Sequence, residues 1–401
     1  MNLFLTGLHY LLYAVGIFLL LNCVYLLFFS LIGHRRRELV PLANAKGSLL
    51  RRICVLIPAY REDAVIIDTT RRAVAHSYNG VAQVVVVADG LQPQTLNILR
   101  ELGAGVVEVN FERSTKGKAL LHALSILPPT AYDIAVVLDA DNIMGTGCLN
   151  SINDAFGAGY RVVQTHRTAK NQGTAFSFLD ACNEEINNHI YRKGPAALGM
   201  SAALIGSGMA FEYSYLRELL TGIGETVGED KELDFRIARD ANKIAYLDRV
   251  YTYDEKIDNA QVFTQQRTRW LASQIEFLKK YALEGVRQLV KFGNVEFFHK
   301  ALQTLLVPRT LLMGVLGVFF LLSLVLPVGP PVAFWAGLLL LLGAALFIAL
   351  PGRLYSWQLV HALLRLPYAI WCMCLALFRI RRTKTSFLAT PHRVHDTIAQ
   401  H

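Results

Sequence analysis

The chain has 401 residues, 53% of them hydrophobic and only 18% charged, with a mean hydropathy of +0.34 and a formal net charge of +9. That apolar share exceeds the norm for a soluble domain, and the surplus sits at the two ends, leaving a middle of roughly 250 residues that can bury one large core. The positive excess lies beside the apolar segments, which points to an anionic membrane surface rather than nucleic acid, and no zinc-finger or RNA-binding signature occurs.

Residues 3–33 are almost wholly apolar and uncharged, long enough to cross a bilayer with some tilt. The basic residues come after this run, at Arg35, Arg36, Arg37, Lys46, Arg51 and Arg52, whereas a signal peptide carries them before it. By the positive-inside rule the N-terminus is expected outside and residues 34–304 in the cytoplasm, so 1–33 reads as the anchor of a cell (inner) membrane protein.

Ile53–Glu62 is an apolar strand interrupted by Pro58, followed by a helical stretch to about His76. Gln83–Gly90 is a second buried strand, ending in Asp89 with Gly90 as its turn. Lys116-Gly117-Lys118 opens a helix, and Ile134–Leu138 is a third solidly apolar strand that runs into Asp139-Ala140-Asp141. Strand, helix, strand, helix, strand predicts an α/β domain with a mostly parallel sheet, whose ligands bind beyond the carboxyl ends of the strands. Two carboxylates one residue apart at that edge form a hard oxygen site suited to Mg²⁺ or Mn²⁺ held with a diphosphate, although acidic residues also simply end strands in turns. No Gly-x-Gly-x-x-Gly follows the first strand and no Walker lysine occurs, which weakens dinucleotide and P-loop readings.

Arg161–Gln164 is a further short strand, and the polar stretch up to Ser201 is expected to lie over the site. Ala203–Phe211 carries Gly206 and Gly208 in an apolar run, which suits close backbone approach to a ligand or, equally, a strand bulge. Gly228–Arg239 starts a helix with Glu229, Asp230 and Glu232 in its first turn; the helix dipole alone also accounts for acids there. Lys243–Leu247 reads as a returning strand. From Ala260 a second helix carries Gln266, Arg269 and Trp270 at i, i+3 and i+4 on one face. An amide, a guanidinium and an indole make an expensive core, so that face is better suited to gripping a ligand.

Residues 284–304 mix Arg287, Lys291 and Lys300 with Leu289, Phe292, Phe297 and Phe298, as an interfacial helix would. Leu305–Val328 and Pro331–Leu350 are two spanning candidates, and Arg309 near the first one's start is expected to snorkel. His361, Arg365 and Pro367 interrupt residues 354–378, and a crossing there would put Arg379, Arg381, Arg382 and Lys384 outside; the segment therefore reads as interfacial. The expected units are an anchor (1–33), a cytoplasmic catalytic domain (34–283), an interfacial helix (284–304), two transmembrane helices (305–351), and an interfacial or membrane segment with a basic tail (352–401). The six cysteines, Cys23, Cys54, Cys148, Cys182, Cys372 and Cys374, are scattered, and Cys372-x-Cys374 is too close for the usual zinc or redox spacing, so they read as reduced and buried.

Taken together, the motifs resemble the membrane-bound, processive members of glycosyltransferase family 2, the cellulose, hyaluronan, chitin-oligosaccharide and poly-N-acetylglucosamine synthases. Pro58-Ala-Tyr60-Arg-Glu62 looks like the family's first-strand motif, Asp89 like its nucleotide-binding aspartate and Lys116-Gly-Lys118 like its lysine loop. Asp139-Ala-Asp141 matches its Asp-x-Asp, Gly228-Glu229-Asp230 its Glu-Asp motif and Gln266-Arg-Thr-Arg269-Trp270 its Gln-x-x-Arg-Trp.

The resemblance implies a GT-A fold, a nucleotide-diphosphate sugar donor and inversion at the sugar carbon. Asp141 would bind the divalent ion, with Asp139 near the ribose and diphosphate, Arg269 clamping phosphate and Asp230 as general base. Trp270 would offer a sugar-stacking surface, and Glu62 and Asp89 would hold uracil and ribose, while Lys116 and Lys118 remain readable as solvated residues at a helix start. Through Gln266, Arg269 and Trp270 the resemblance favours a growing polysaccharide as acceptor, with export or assembly subunits as possible partners; the alternative is non-processive transfer of one sugar to a lipid carrier or lipid-linked acceptor. A non-catalytic scaffold is disfavoured because every expected carboxylate is present and the apolar segments lack paired charges.

Overall fold

The computed structural model describes residues 3–35, 49–224, 228–256 and 260–379. The basic residues Arg36, Arg37 and Lys46, and the tail with Arg381, Arg382 and Lys384, lie outside the described residues. Helix α1 (Leu3–Ile32) carries no acid in its first turn and no base in its last. At 1.5 Å per residue it exceeds the roughly 30 Å of a bilayer's apolar core.

The apolar runs that alternate with amphipathic segments become β1 (Ile53–Tyr60), α2 (Asp63–Val74), β2 (Ala82–Asp89), α3 (Pro93–Glu101), β3 (Gly105–Val109), α4 (Lys116–Ile126) and β4 (Ile134–Val137). A two-residue β5 (Ile143–Met144), α5 (Cys148–Gly157) and β6 (Val162–Ala169) follow. The stretch expected to cover the site is helical: α6 (Ala175–Asn187), a π-helical turn over Asn188–Lys193 and α7 (Gly194–Ala197). Thereafter come β7 (Met209–Glu212), α8 (Tyr213–Leu220), α9 (Glu229–Arg239), β8 (Ile244–Asp254) and the long α10 (Ala260–Phe292).

The eight strands form one sheet in the order β3-β2-β1-β4-β7-β6-β8-β5. The half built by β3, β2, β1 and β4 is parallel, as the βαβ pattern predicts. β7 then enters antiparallel to both β4 and β6, and β8 runs parallel to β6. Only Met209–Glu212 of the apolar 203–211 run joins the ladder; residues 203–208 form a loop beneath the strand ends. Helices cover both faces. Leu56 and Val85 pack with Leu120, Leu216 and Leu233 on one side, and Ile57 with Ile66, Leu99 and Ile152 on the other.

The remaining helices are α11 (Val295–Leu305), α12 (Arg309–Ser323), α13 (Val332–Ala349), α14 (Trp357–Leu364) and α15 (Leu366–Arg379). By length and composition, Phe4–Ile32 and Val332–Ala349 can each cross a membrane, and the bent pairs α11–α12 (51°) and α14–α15 (48°) could each make one further span. Leu26, Leu316, Leu342 and Trp335 join α1, α12 and α13 in a single apolar cluster.

Three expectations about this region change. The boundary at 283/284 falls inside α10, which is continuous to Phe292. And α11 does not present Lys300 to an interface: that side chain is 0% exposed, its Nζ donating to Ala202 O at 2.6 Å and meeting Asp234 at 3.2 Å. Periodicity could not tell a lysine that snorkels from one with a buried carboxylate partner. Nor is Leu305–Val328 one straight span, because Pro308 stands between α11 and α12.

Candidate active site

Parallel sheets present ligands at the carboxyl ends of their strands. Here the β1–β2 register pairs Tyr60 with Asp89, so the turns after both strands open at one level. Pro58, Tyr60, Glu62 and Asp89 line a cleft of ≈ 900 Å³. Asp89 is 4% exposed, and its Oδ2 has no hydrogen-bond partner among the described residues. A buried acceptor left unmade costs about 1–3 kcal/mol. This carboxylate is therefore set to receive hydroxyl or N–H donors from a ligand.

Beyond β4, Leu138 N still donates to Leu56 O (3.0 Å), and then the chain turns, with Asn142 N bonding back to Asp139 O (3.1 Å). The turn gives the two aspartates different surroundings. Asp139 is ion-paired with Lys116, whose Nζ also donates to Gly206 O at 2.7 Å. Asp141 is buried; its Oδ1 accepts from Asn142 Nδ2 (2.9 Å) and its Oδ2 from Glu255 N (3.1 Å). Both aspartates line the cleft. No group of three or more His, Cys, Asp or Glu side chains suited to a metal occurs among the described residues. A cation here would take its other ligands from diphosphate and water, which is how Mg²⁺ is usually held, and two hard carboxylates fit Mg²⁺ or Mn²⁺ on that basis.

The opposite wall is the start of α9. Gly206 has a φ of +85°, and a Cβ there would stand 3.8 Å from Asp230 Oδ2, so this loop and the Asp230 carboxylate face each other. Asp230 Oδ1 accepts from Lys231 N (2.8 Å), and Glu229 Oε1 from Gly117 N (3.4 Å). Burial raises the Asp230 carboxyl above its ordinary range, and the Asp234 charge one turn on adds to it; Lys231 and Lys116 oppose the shift. Burial likewise raises Glu229, with Asp230 as the like charge beside it. Such carboxylates hold a proton more readily than a solvated one, as a general base working near neutral pH must.

Gln266, Arg269 and Trp270 come to the cleft from α10 together. Gln266 Oε1 is buried without a partner among the described residues, a second acceptor awaiting a donor. Burial lowers the Arg269 guanidinium, and the Glu229 charge opposes that shift. Trp270 is 41% exposed, and Arg267 stacks 4.1 Å from its ring centroid while ion-pairing with Asp180. The indole thus has a rigid backing and a free face.

Two expected residues lie elsewhere. Lys118 is absent from the cleft wall and its Nζ donates to Arg113 O at 3.3 Å, because two residues along a helix turn a side chain by about 200° from Lys116, to the opposite face. Gly208 also faces away: a Cβ there would sit 2.2 Å from Thr165 Oγ1 and 2.7 Å from Thr252 Oγ1. Its φ of +63° and that crowding make it a sheet-packing glycine rather than a ligand-facing one.

The sequence reading missed a charged layer under the cleft. Glu184 binds Arg167 (2.9 Å), Lys256 (3.5 Å) and Arg192 (3.7 Å), while Asp254 holds Lys256 (2.7 Å) and Arg167 (3.6 Å). Glu185 accepts from Thr168 (2.7 Å) and Arg353 (2.8 Å). Burial pushes Glu184 up, but Arg167, Lys256 and Arg192 together hold it well below the ordinary carboxylate range. The signal in the sequence was the pair Glu184-Glu185 inside an otherwise helical run. Past this layer the cleft continues between apolar side chains of α13, α14 and α15, among them Phe347, Leu363 and Met373.

The family described as "Glycosyltransferase like family 2" has a sequence model that matches residues 51–273, more than half of the chain. Among curated proteins, the chain is 28% identical over 233 residues to a beta-monoglucosyldiacylglycerol synthase of Trichormus variabilis, covering 54% of this chain and 48% of that one. It is 27% identical to one from a Nostoc species over the same shares. The chain therefore spans about half the length of the curated relatives it matches. Among solved structures, a mannosyltransferase from Pyrobaculum calidifontis in complex with GDP-Man and Mn²⁺ superposes with a TM-score of 0.56 at 18% identity, over 93% of this chain and 100% of that one. That likeness shows the fold, the α/β arrangement called GT-A.

Proposed function

The chain belongs to glycosyltransferase family 2, and we propose that it moves one sugar from a nucleoside-diphosphate donor, a UDP-sugar, onto a lipid-linked acceptor at the cytoplasmic face of the cell (inner) membrane. The observation that carries this reading is the continuity of the cleft, from Asp89 and Asp139 to Phe347, Leu363 and Met373 on the apolar helices. A soluble acceptor has no use for that extension, whereas a lipid tail does. The two curated relatives, both beta-monoglucosyldiacylglycerol synthases, agree with it.

In the reaction, Asp89 and Glu62 hold the nucleoside, and Gln266 Oε1 takes a donor hydroxyl. Lys116 and Arg269 meet the diphosphate, the guanidinium as a two-pronged clamp. A divalent ion held by Asp141 and Asp139 would supply Lewis-acid neutralisation of the leaving diphosphate. The acceptor hydroxyl, placed over Trp270, gives its proton to Asp230 as its oxygen attacks the sugar carbon from the face opposite the diphosphate, inverting that centre.

A second reading, transfer to a growing polysaccharide, is favoured by Gln266, Arg269 and Trp270 sharing one face of α10, and would bring export or assembly subunits with it. The deciding experiment incubates full-length protein in lipid vesicles with a panel of labelled nucleotide sugars and Mg²⁺ or Mn²⁺. A singly glycosylated, solvent-extractable lipid is expected; a ladder of water-soluble polymer would replace the first reading with the second.

A further inference from the structure

The cleft reaches the apolar helices beside Arg309, the first residue of α12. Pro308 precedes it, no side chain caps this helix and no acid stands in its first turn. Leu312 N donates to Pro308 O (2.8 Å), so the amides of Arg309, Thr310 and Leu311 are the ones a helix start leaves unmatched within the helix. Arg309 is 9% exposed. Its Nη2 donates to Asn183 O (3.1 Å), Asn183 Oδ1 (2.5 Å) and Asn187 Oδ1 (2.8 Å), all uncharged, and its Nη1 has no partner among the described residues. Four other cations of the cleft wall, Arg167, Arg192, Lys256 and Arg267, each have a carboxylate. Arg309 alone among them has none within ion-pair distance in the described residues. A buried guanidinium at the positive end of a helix, with an unused N–H, is a site short of one anion.

Resting on the lipid-acceptor reading, we propose that Arg309 holds the phosphate of that acceptor, so the substrate is an anionic lipid rather than a neutral one. Position supports the assignment. Asn183, which Arg309 binds, is one turn from Asp180 on α6; Asp180 pairs with Arg267, and Arg267 lies 4.1 Å from the Trp270 ring centroid. These contacts link Arg309 to Trp270 across α6 and α10, and Arg309, Trp270 and Asp230 all line the one cleft, so an acceptor whose phosphate sits at Arg309 extends along it toward Asp230. The tail would then lie against Met313 and Phe347, which line the same cleft. The phosphate is held and does not react. A diacylglycerol headgroup has no charge to offer Arg309.

The test uses the full chain in phosphatidylcholine nanodiscs and three probes: farnesyl phosphate, farnesol and inorganic phosphate, with binding read from Trp fluorescence and melting temperature. Farnesyl phosphate should bind at least about tenfold tighter than farnesol, the scale of one charge-assisted hydrogen bond. Arg309→Gln should level the two, and Arg309→Lys should restore part of the difference. Equal binding of both lipids by the parent overturns the anion site, and this arm decides even if Arg309→Gln fails to fold. Inorganic phosphate binding as tightly as farnesyl phosphate overturns the lipid assignment in favour of free phosphate. A separate readout guards the underlying reading. Labelled sugar entering the organic phase without any preference for phosphate removes only the role of Arg309, whereas no label in that phase removes the lipid acceptor itself.

Discussion

At Asp230, the proposed general base, catalysis and stability are expected to pull in opposite directions. Its carboxyl is raised by burial and by Asp234, so the folded state binds its proton more tightly than the unfolded chain does. The sign follows: between the unfolded and the raised folded value, the native state carries more protons, and stability falls as pH rises through that window. Asp230→Asn removes this cost. The variant should melt higher than the parent at pH 8, with the gap closing toward pH 4, while turnover drops by roughly 10²–10⁴-fold and donor binding stays nearly intact. Parent-like turnover would move the base to Glu229. At Asp89, Asp89→Ala leaves a cavity where the unpartnered Oδ2 stood. Nucleotide affinity should weaken by about tenfold or more, with little change in melting temperature, because the lost partner belongs to the ligand and not to the protein. Asp141→Asn keeps the Glu255 N–H bond but loses the anionic ligand, so activity should become insensitive to added Mg²⁺ by being absent at every concentration.

At the scale of elements, α9 and α11 are joined where the catalytic domain meets the apolar helices. Asp234 Oδ1 takes Leu204 N (3.0 Å) and Lys300 Nζ (3.2 Å), so one carboxylate fixes the loop under Gly206, the helix bearing Asp230 and the helix leading into α12. Lys300→Met removes one of the two cations on that carboxylate, leaving Lys231 at 3.4 Å, and the unfolding free energy should fall by about 1–3 kcal/mol, the scale of a lost buried charge-assisted hydrogen bond. Lys300→Met with Asp234→Asn should recover much of the loss, which a denaturant titration of both variants measures. A loss below about 1 kcal/mol for the single variant would show that the pair does not hold the junction. Gly208→Ala should be comparably harmful for a steric reason, since its Cβ meets Thr165 and Thr252.

At the scale of the whole molecule, the nucleotide site and the apolar end of the cleft lie on one body, so a donor made in the cytoplasm requires the catalytic domain to face it. Pro128–Thr130 is an exposed loop of that domain. Thr130→Cys should react with a membrane-impermeant maleimide only after cells are opened; labelling of intact cells would overturn the proposed orientation. Five native cysteines, Cys23, Cys54, Cys148, Cys182 and Cys372, are buried; Cys374, expected buried, is partly exposed and is replaced by serine for this experiment.

Much of this was determined locally. Buried strands 53–60, 82–89 and 134–137 are short apolar runs ended by turn residues, and the helix bearing Gln266, Arg269 and Trp270 follows from 3.6-residue periodicity. Residues at such strand ends and on such a face meet whatever the remaining chain does, which is why Asp89, Asp139 and Trp270 could be named in advance as neighbours. What the tertiary structure decided depends on partners distant in sequence. The antiparallel entry of β7, the outward turn of Lys118 and the packing role of Gly208 each follow from which strand or hydroxyl lies opposite. Lys300 is buried only because Asp234 awaits it, 66 residues away. Arg309 was expected to snorkel like any charge at a helix end; the absence of a carboxylate around it, in a wall where other cations have one, became visible only when α6 and α12 were side by side.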